Sequence, residues 1–377
     1  MNFAFDEDQK SLGDTVARLL ADHEGLRAPD LGRAAAAPAR AALVELGLFA
    51  MMVPEEQGGA GLKAVDLALS LEALGGALAP AAVLDTLLVS EVLAAHGTAA
   101  QRDALLPLLA AGELRVAIAV TEEGGDDAPA TVRTRVAAER LTGSKLLVRE
   151  AADVTHFAVI AQGAGGPGVY LVAAETAGVA IRDHEDIDPS AGMGAVSFDD
   201  VALDADALVG PGDPLAVVER LFDGGAAMSA CLQLGIAARM LDTAVEYART
   251  RVQFGKPIGS FQALKHRCAD LAVAVEAARS ATYHGIWAYS EDAPDRARAV
   301  SMAKAYAGEV VREVCNEAIQ IHGGMGFTWE LGLHRYLRRA KVIEHAFGAA
   351  IWHNERILVE TLRDELPGVT AVDRKVA

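Results

Sequence analysis

Arg251, Gln253 and Phe254 place a guanidinium, a primary amide and an aromatic ring within a few positions of one another, inside the run YARTRVQFGKPIGSFQALKHR from Tyr247 to Arg267. A planar fork of donors matches phosphate oxygens, and a ring beside it can cover a nucleotide. That chemistry is the binding of a phosphorylated nucleotide. The run also has an ordinary structural reading: Arg249 and Arg251 at the end of a helix complement the negative end of its dipole, and Pro257 cannot continue a helix. A break at Gly255-Lys256-Pro257, with a second helix opening after Gly259-Ser260, is expected with or without a ligand.

The elements that position these residues belong to a chain of 377 residues, 52% of them hydrophobic, long enough for two or three domains with buried cores. With 34 basic and 52 acidic residues the formal net charge is -18, so there is no broad positive field for a nucleic-acid backbone or an anionic membrane. An anionic ligand must be held by a local pocket. Cys231, Cys268 and Cys315 lie far apart on the apolar sides of expected helices, which favours buried reduced thiols over a metal or disulfide framework. The start, MNFAFDEDQK, has no basic or apolar leader pattern, and no apolar run is long and uninterrupted enough to span a bilayer. The expectation is a cytoplasmic protein that neither inserts in membranes nor binds nucleic acid.

Residues 1–112 read as helices broken at Ala28-Pro29, from Val53 to Gly61, at Gly75-Gly76 and at Gly97. VPEEQGGAGL demands a loop, and a helix is expected from Leu62 to Leu74. From Leu114 to Ala202 short runs such as RVAIAVT, THFAVIA and GVYLVAA alternate with turn chemistry, and Val132, Thr134 and Val136 against Arg133 and Arg135 carry the period of a half-buried strand. Helices return near Asp213, over Ala226 to Thr250, then through Leu264, Cys268, Leu271, Val275 and Ala278, then from Ala299 to Ile321 with Gly323-Gly324 as the stop, and finally from about Arg338 through Phe347 to Leu358. The plan is mixed α and β, mostly α: an N-terminal helical domain over 1–112, a middle β domain over 113–212 and a C-terminal four-helix bundle over 213–377.

In this order the chain resembles the acyl-CoA dehydrogenase family over nearly its whole length. VPEEQGGAGL with LALSLEALGGALAP, AVTE at Ala119 to Glu122, LTGSK at Leu141 to Lys145, RVQFGKPIGSFQALKH, and AIQIHGGMGF at Ala318 to Phe327 look like the family's landmarks in sequence. The resemblance implies the acyl-CoA dehydrogenase fold, with a barrel-like middle domain, and FAD as cofactor. Arg251 and Phe254, with Gln253 close by, would lie against the pyrophosphate and adenine of FAD bound by a neighbouring subunit. Gln320, Gly323 and Gly324 would supply the other side, the glycines letting backbone N–H groups approach the phosphates. His322 is either a further contact or a satisfied helix-terminus histidine, and Thr121 would reach the flavin edge. The implied reaction removes a proton from Cα and a hydride from Cβ of an acyl-CoA, the flavin N5 taking the hydride and an electron-transfer flavoprotein reoxidising it.

Such chemistry needs a carboxylate over Cα. Most relatives place it in a glutamate-glycine loop after a segment like HRYLRRAK, and here that position holds Phe347-Gly348-Ala349. A minority place it on the helix before the arginine motif, and here that position is Gly225. No catalytic residue is therefore assigned; Asp223 and Glu344 are the nearest carboxylates for a relocated base. The middle domain also departs, with TEEGGDDAPA and LLVREAAD in place of the glycine-serine-aspartate turn and the tryptophan-isoleucine-serine segment. Three readings follow: the base-lacking chain of a hetero-oligomer (a heterotetramer with another acyl-CoA dehydrogenase-like chain), of the kind found in actinobacterial steroid side-chain degradation; a homo-oligomer with a relocated base or a different reaction; or a flavin-free structural subunit. Gly224, Gly225, Ala226 and Ala227 leave room for a bulky acyl group or permit close helix packing.

Overall fold

The computed structural model describes residues 5–23, 36–124 and 129–365; the break expected at Ala28-Pro29 lies outside them. In chain order the main elements are α1 (Glu7–Ala21), α2 (Ala36–Glu45), α3 (Ala68–Gly76), α4 (Ala82–His96), α5 (Ala99–Ala110), β1 (Val116–Ala119), β2 (Arg135–Ala137), β3 (Arg140–Val148), β4 (His156–Gly163), β5 (Gly166–Ala173), β6 (Val179–Asp183) and β7 (Gly194–Ala202). They continue with α6 (Pro214–Thr250), β8 (Val252–Gln253), β9 (Lys256–Pro257), α7 (Gln262–Ser290), α8 (Arg296–His322), α9 (Leu333–His345) and α10 (Ala350–Glu365). The chain divides into two compact units, one of 1–30, 65–78 and 226–377, the other of 31–64 and 79–225.

The first unit is helical. Its core joins Leu234, Met240 and Ala244 of α6, Leu271 and Val275 of α7, Val310, Val314 and Cys315 of α8, and Tyr336 and Ile343 of α9, all buried. α3 crosses α6 at two glycines: a Cβ on Gly75 would fall 2.1 Å from the Leu232 carbonyl oxygen, and one on Gly235 would fall 1.9 Å from that of Glu72. No side chain fits there. α6 is the one described helix long and apolar enough to cross a membrane, and its apolar window is 89% buried, as in the core helix of a globular protein.

The second unit carries a seven-stranded sheet in the order β1-β4-β2-β3-β7-β6, with β5 pairing β4. β4 runs parallel to β1 and β2, and its pairing with β5 is antiparallel. Phe157 and Phe198 meet edge-to-face at 6.4 Å in its core, with Val159, Val172, Val196 and Val201 around them.

Several local expectations are corrected. The helix expected from Leu62 begins at Ala64 as a 3-10 turn and becomes α-helical only at Ala68, because the amides of Ala60, Gly61 and Leu62 donate back to Ala50, Val53 and Met51. The alternation at 132–136 does appear in burial, with Val132 and Thr134 inside and Arg133 and Arg135 outside. The ladder, however, spans only Arg135–Ala137, because Glu122 takes the amides of Arg133 and Thr134. The last expected helix is interrupted: α9 stops at His345, and Phe347 and Gly348 take φ of 57° and 97°, outside any right-handed helix. Lys304, almost fully buried on α8, donates to the carbonyls of Ile343 (3.1 Å) and Glu344 (2.9 Å) that the broken helix leaves open. Cys231 and Cys315 are buried as expected, whereas Cys268 is only half-buried.

Candidate functional site: an exposed hairpin beside an open glycine pair

α6 ends at Thr250, yet the Arg251 amide still donates to the Tyr247 carbonyl at 2.8 Å. The chain then folds into a two-residue hairpin, with Val252 opposite Pro257 and Gln253 opposite Lys256. Phe254 and Gly255 form the turn with φ of 53° and 78°, the left-handed pair that a tight hairpin requires. A phenylalanine in that region is uncommon, and its ring points away from the fold, 92% exposed. Arg251 and Gln253 are exposed as well. Lys256 lies over the Phe261 ring at 4.4 Å, and Phe254 meets Phe261 edge-on at 6.2 Å, which braces the hairpin from behind. Beside it is a cavity of about 420 Å³ lined by Val245, Arg249, Pro257, Leu264, Lys265 and Cys268 among others.

α8 ends at His322, and Gly323 follows with φ of 60°. A Cβ on Gly323 or Gly324 would meet nothing within 4 Å, whereas one on Gly326 would strike the Ile319 carbonyl oxygen at 2.3 Å. The first two glycines therefore face open space, although the Gly323 amide itself caps α8 by donating to the Gln320 carbonyl, and Gly326 is there for packing. Gln320 is exposed one turn earlier. His322 is 5% exposed; its Nδ1 lies 2.7 Å from the Ala318 carbonyl oxygen, and its ring stacks on Tyr247 at 4.1 Å and 23°. It is a satisfied helix-terminus histidine, and its stack ties the end of α8 to the last turn of α6. Five of the expected residues, Arg251, Gln253, Phe254, Gly323 and Gly324, are thus carried by two helix ends joined at one aromatic contact, with Gln320 beside them. The sequence reading had missed this stack. Its one trace is that Tyr247 stands four positions before Arg251, on the same helix face.

Thr121 belongs to the other unit, half-buried just past the end of β1, its carbonyl accepting from the Leu146 amide at 2.8 Å. In that unit Leu147 sits at a bulge in β3 with φ of 53°, half exposed, and Arg149 is drawn into a buried ion pair with Asp85.

Neither position at which the resemblance places a base carries a carboxylate. Phe347 is buried, with its carbonyl accepting from Nε2 of His353 at 3.0 Å, and Gly225 lies inside α6. Both oxygens of Glu344 are engaged, with Arg312 at 3.2 Å and Lys341 at 2.8 Å. Asp223 is fully buried on α6.

A family model for the acyl-CoA dehydrogenase N-terminal domain matches residues 6–113, and one for the acyl-CoA dehydrogenase C-terminal domain matches residues 213–358. The chain belongs to the acyl-CoA dehydrogenase family. Acyl-CoA dehydrogenase IpdE2 of Mycobacterium tuberculosis is 32% identical over 349 residues, 89% of this chain and 91% of that protein. Among solved structures, the ChsE4-ChsE5 complex from Mycobacterium tuberculosis superposes with a TM-score of 0.86 at 28% identity, covering 98% of this chain and 100% of the other. A variant of the Tcur3481-Tcur3483 steroid ACAD gives 0.85 at 30% identity, covering 95% and 98%. An FAD-dependent oxidoreductase fold of mostly helices with one mixed sheet is thereby established, and the open pair Gly323-Gly324, tied through the Tyr247–His322 stack to the helix end that carries an exposed guanidinium and ring, fits a dinucleotide.

Proposed function

We propose that this acyl-CoA dehydrogenase is the base-lacking chain of a hetero-oligomer and that its hairpin completes the FAD site of a partner chain. One observation carries the reading: Arg251, Gln253 and Phe254 are held out into solvent at the end of α6, which the Tyr247–His322 stack ties to the helix end that carries the open Gly323-Gly324 pair, while the two base positions hold Phe347 and Gly225. A nucleotide grip is present where a proton acceptor is not. Bound FAD supplies the acceptor for the Cβ hydride. In this reading Arg251 would hold a phosphate and Phe254 would cover the adenine of the partner's FAD, with the Gly324 amide and the exposed backbone of Gly323, whose own amide donates to the Gln320 carbonyl, toward its pyrophosphate and Gln320 alongside; separately, Thr121 would touch a flavin edge.

The ChsE4-ChsE5 complex and the paired Tcur3481-Tcur3483 steroid ACAD support a partner of the same family, and the steroid named for the latter supports a bulky acyl-CoA as substrate. The small side chains of Gly224 to Ala227 on α6 suit such a group. The proposal keeps the divisions at 112 and 212, near which the two family models begin and end. It places the enzyme in the cytoplasm, with an electron-transfer flavoprotein as oxidant. Arg251→Ala in the co-expressed complex tests the grip: flavin per complex should fall at least about tenfold, the size of a lost charge-assisted contact. Unchanged flavin content would remove the assignment.

A further inference from the structure

Lys145 is an oddity of the β-bearing unit: a lysine on β3 with no exposed side-chain surface. Burying an ammonium is costly, and a well-packed hydrocarbon of the same volume would often stabilise a fold as well or better. What hydrocarbon cannot supply is direction. The Nζ of Lys145 donates to Oε1 of Glu122 at 2.7 Å and to the Val120 carbonyl at 3.0 Å. Glu122 in turn accepts the Arg133 amide at 2.6 Å and the Thr134 amide at 2.9 Å, and the Leu146 amide donates to the Thr121 carbonyl at 2.8 Å. Residues 120, 121 and 122 are each bonded to the segments around Arg133 and Lys145, and Nη2 of Arg133 donates to the Glu123 carbonyl at 2.6 Å. Beyond them Glu123 and Gly124 are exposed, and β1 itself ends at Ala119. The pair thus clamps the residues on either side of Thr121, Val120 and Glu122, just past the end of β1.

The LTGSK run is built for the clamp. A Cβ on Gly143 would lie 2.4 Å from Oγ1 of Thr134, so only glycine lets the Thr134 segment come close enough to β3 for Glu122 to take its amide. Burial alone would raise the Glu122 pKa, but the hydrogen bonds from Lys145, Thr134 and Arg133 hold it at about 2; burial brings Lys145 down to about 8 against the pull of Glu122. Both partners are charged at neutral pH.

We infer that Lys145 and Glu122 are positioning residues that fix Thr121 for contact with FAD. The inference rests on the assignment of Thr121 to the cofactor site. It assigns a task to a buried ion pair that neither hydride acceptance nor proton removal uses.

A double-mutant cycle on FAD affinity separates this role from a merely structural one. The flavin-binding oligomer is stripped of flavin, and FAD is titrated back by fluorescence into the parent, Lys145→Met, Thr121→Ala and the double variant, with circular dichroism confirming retained structure. Lys145→Met should bind FAD about tenfold more weakly, and the double variant no more weakly than the weaker single one. Independent, multiplying losses would overturn the inference while leaving Thr121 in the site, as would a parent-like Lys145→Met. A parent-like Thr121→Ala would remove both Thr121 and the inference. Should Lys145→Met fail to fold, Glu122→Gln enters the same cycle with the same expected and contrary results.

Discussion

Tyr247 and His322 stack with ring centroids 4.1 Å apart and planes 23° from parallel, and this contact joins the two stretches of chain proposed to hold a dinucleotide. Tyr247 stands one turn before Arg251 and its carbonyl takes the Arg251 amide, so the ring also fixes where the hairpin starts. His322 is the last residue of α8, immediately before the open glycines.

Removing the ring should therefore loosen both halves of the grip together. Tyr247→Ala is expected to lower the flavin-to-protein absorbance ratio of the complex, with affinity down by roughly 2- to 10-fold from an aromatic pair of about 0.5–1.5 kcal/mol. Tyr247→Phe, which keeps the ring, should bind flavin as the parent does. Equal flavin content in both variants would show that the stack is incidental.

Much of this architecture could be read from residue types alone. The helical, β and helical order follows from the change of period near Gly112 and Asp213, and the two glycine- and arginine-bearing motifs announce themselves by local chemistry. Where the reading fell short, distant residues decide the backbone. The apolar spacing of Ile343, Phe347 and Ala350 continues a helical pattern, yet Lys304 and His353 hold the carbonyls of Ile343, Glu344 and Phe347 and keep the chain open. The hairpin at Phe254-Gly255 read as a plain break because phenylalanine is a poor predictor of positive φ. Arg133 and Thr134 left the ladder because a carboxylate took their amides.

Acid should weaken the helical unit through His353. Burial, then the charges of Lys304 and Arg356, hold its pKa well below 6.5, against the opposing bond to Phe347. As pH falls through 6.5 the unfolded chain takes up a proton that the folded one does not, so stability is complete above that value and declines below it, by up to about 1.4 kcal/mol per pH unit. Urea midpoints at pH 7.5 and 5.5 should differ less in His353→Gln than in the parent. An identical pH dependence in the two would assign the effect elsewhere.

If the base comes from the partner, the nearby carboxylates are dispensable for chemistry. Asp223→Asn and Glu344→Gln, each in the co-expressed complex, should keep kcat within about threefold, less than the 10²–10⁴-fold that a lost general base costs. A thousandfold loss in either, with flavin retained, would identify a relocated base in this chain.

The most direct measurement compares ferrocenium-coupled dehydrogenation of an acyl-CoA by this chain alone and by the chain co-expressed with the proposed acyl-CoA dehydrogenase-like partner. Turnover by the complex and none by the lone chain is the predicted result. A lone chain that binds one FAD per subunit and turns over acyl-CoA would contradict the account.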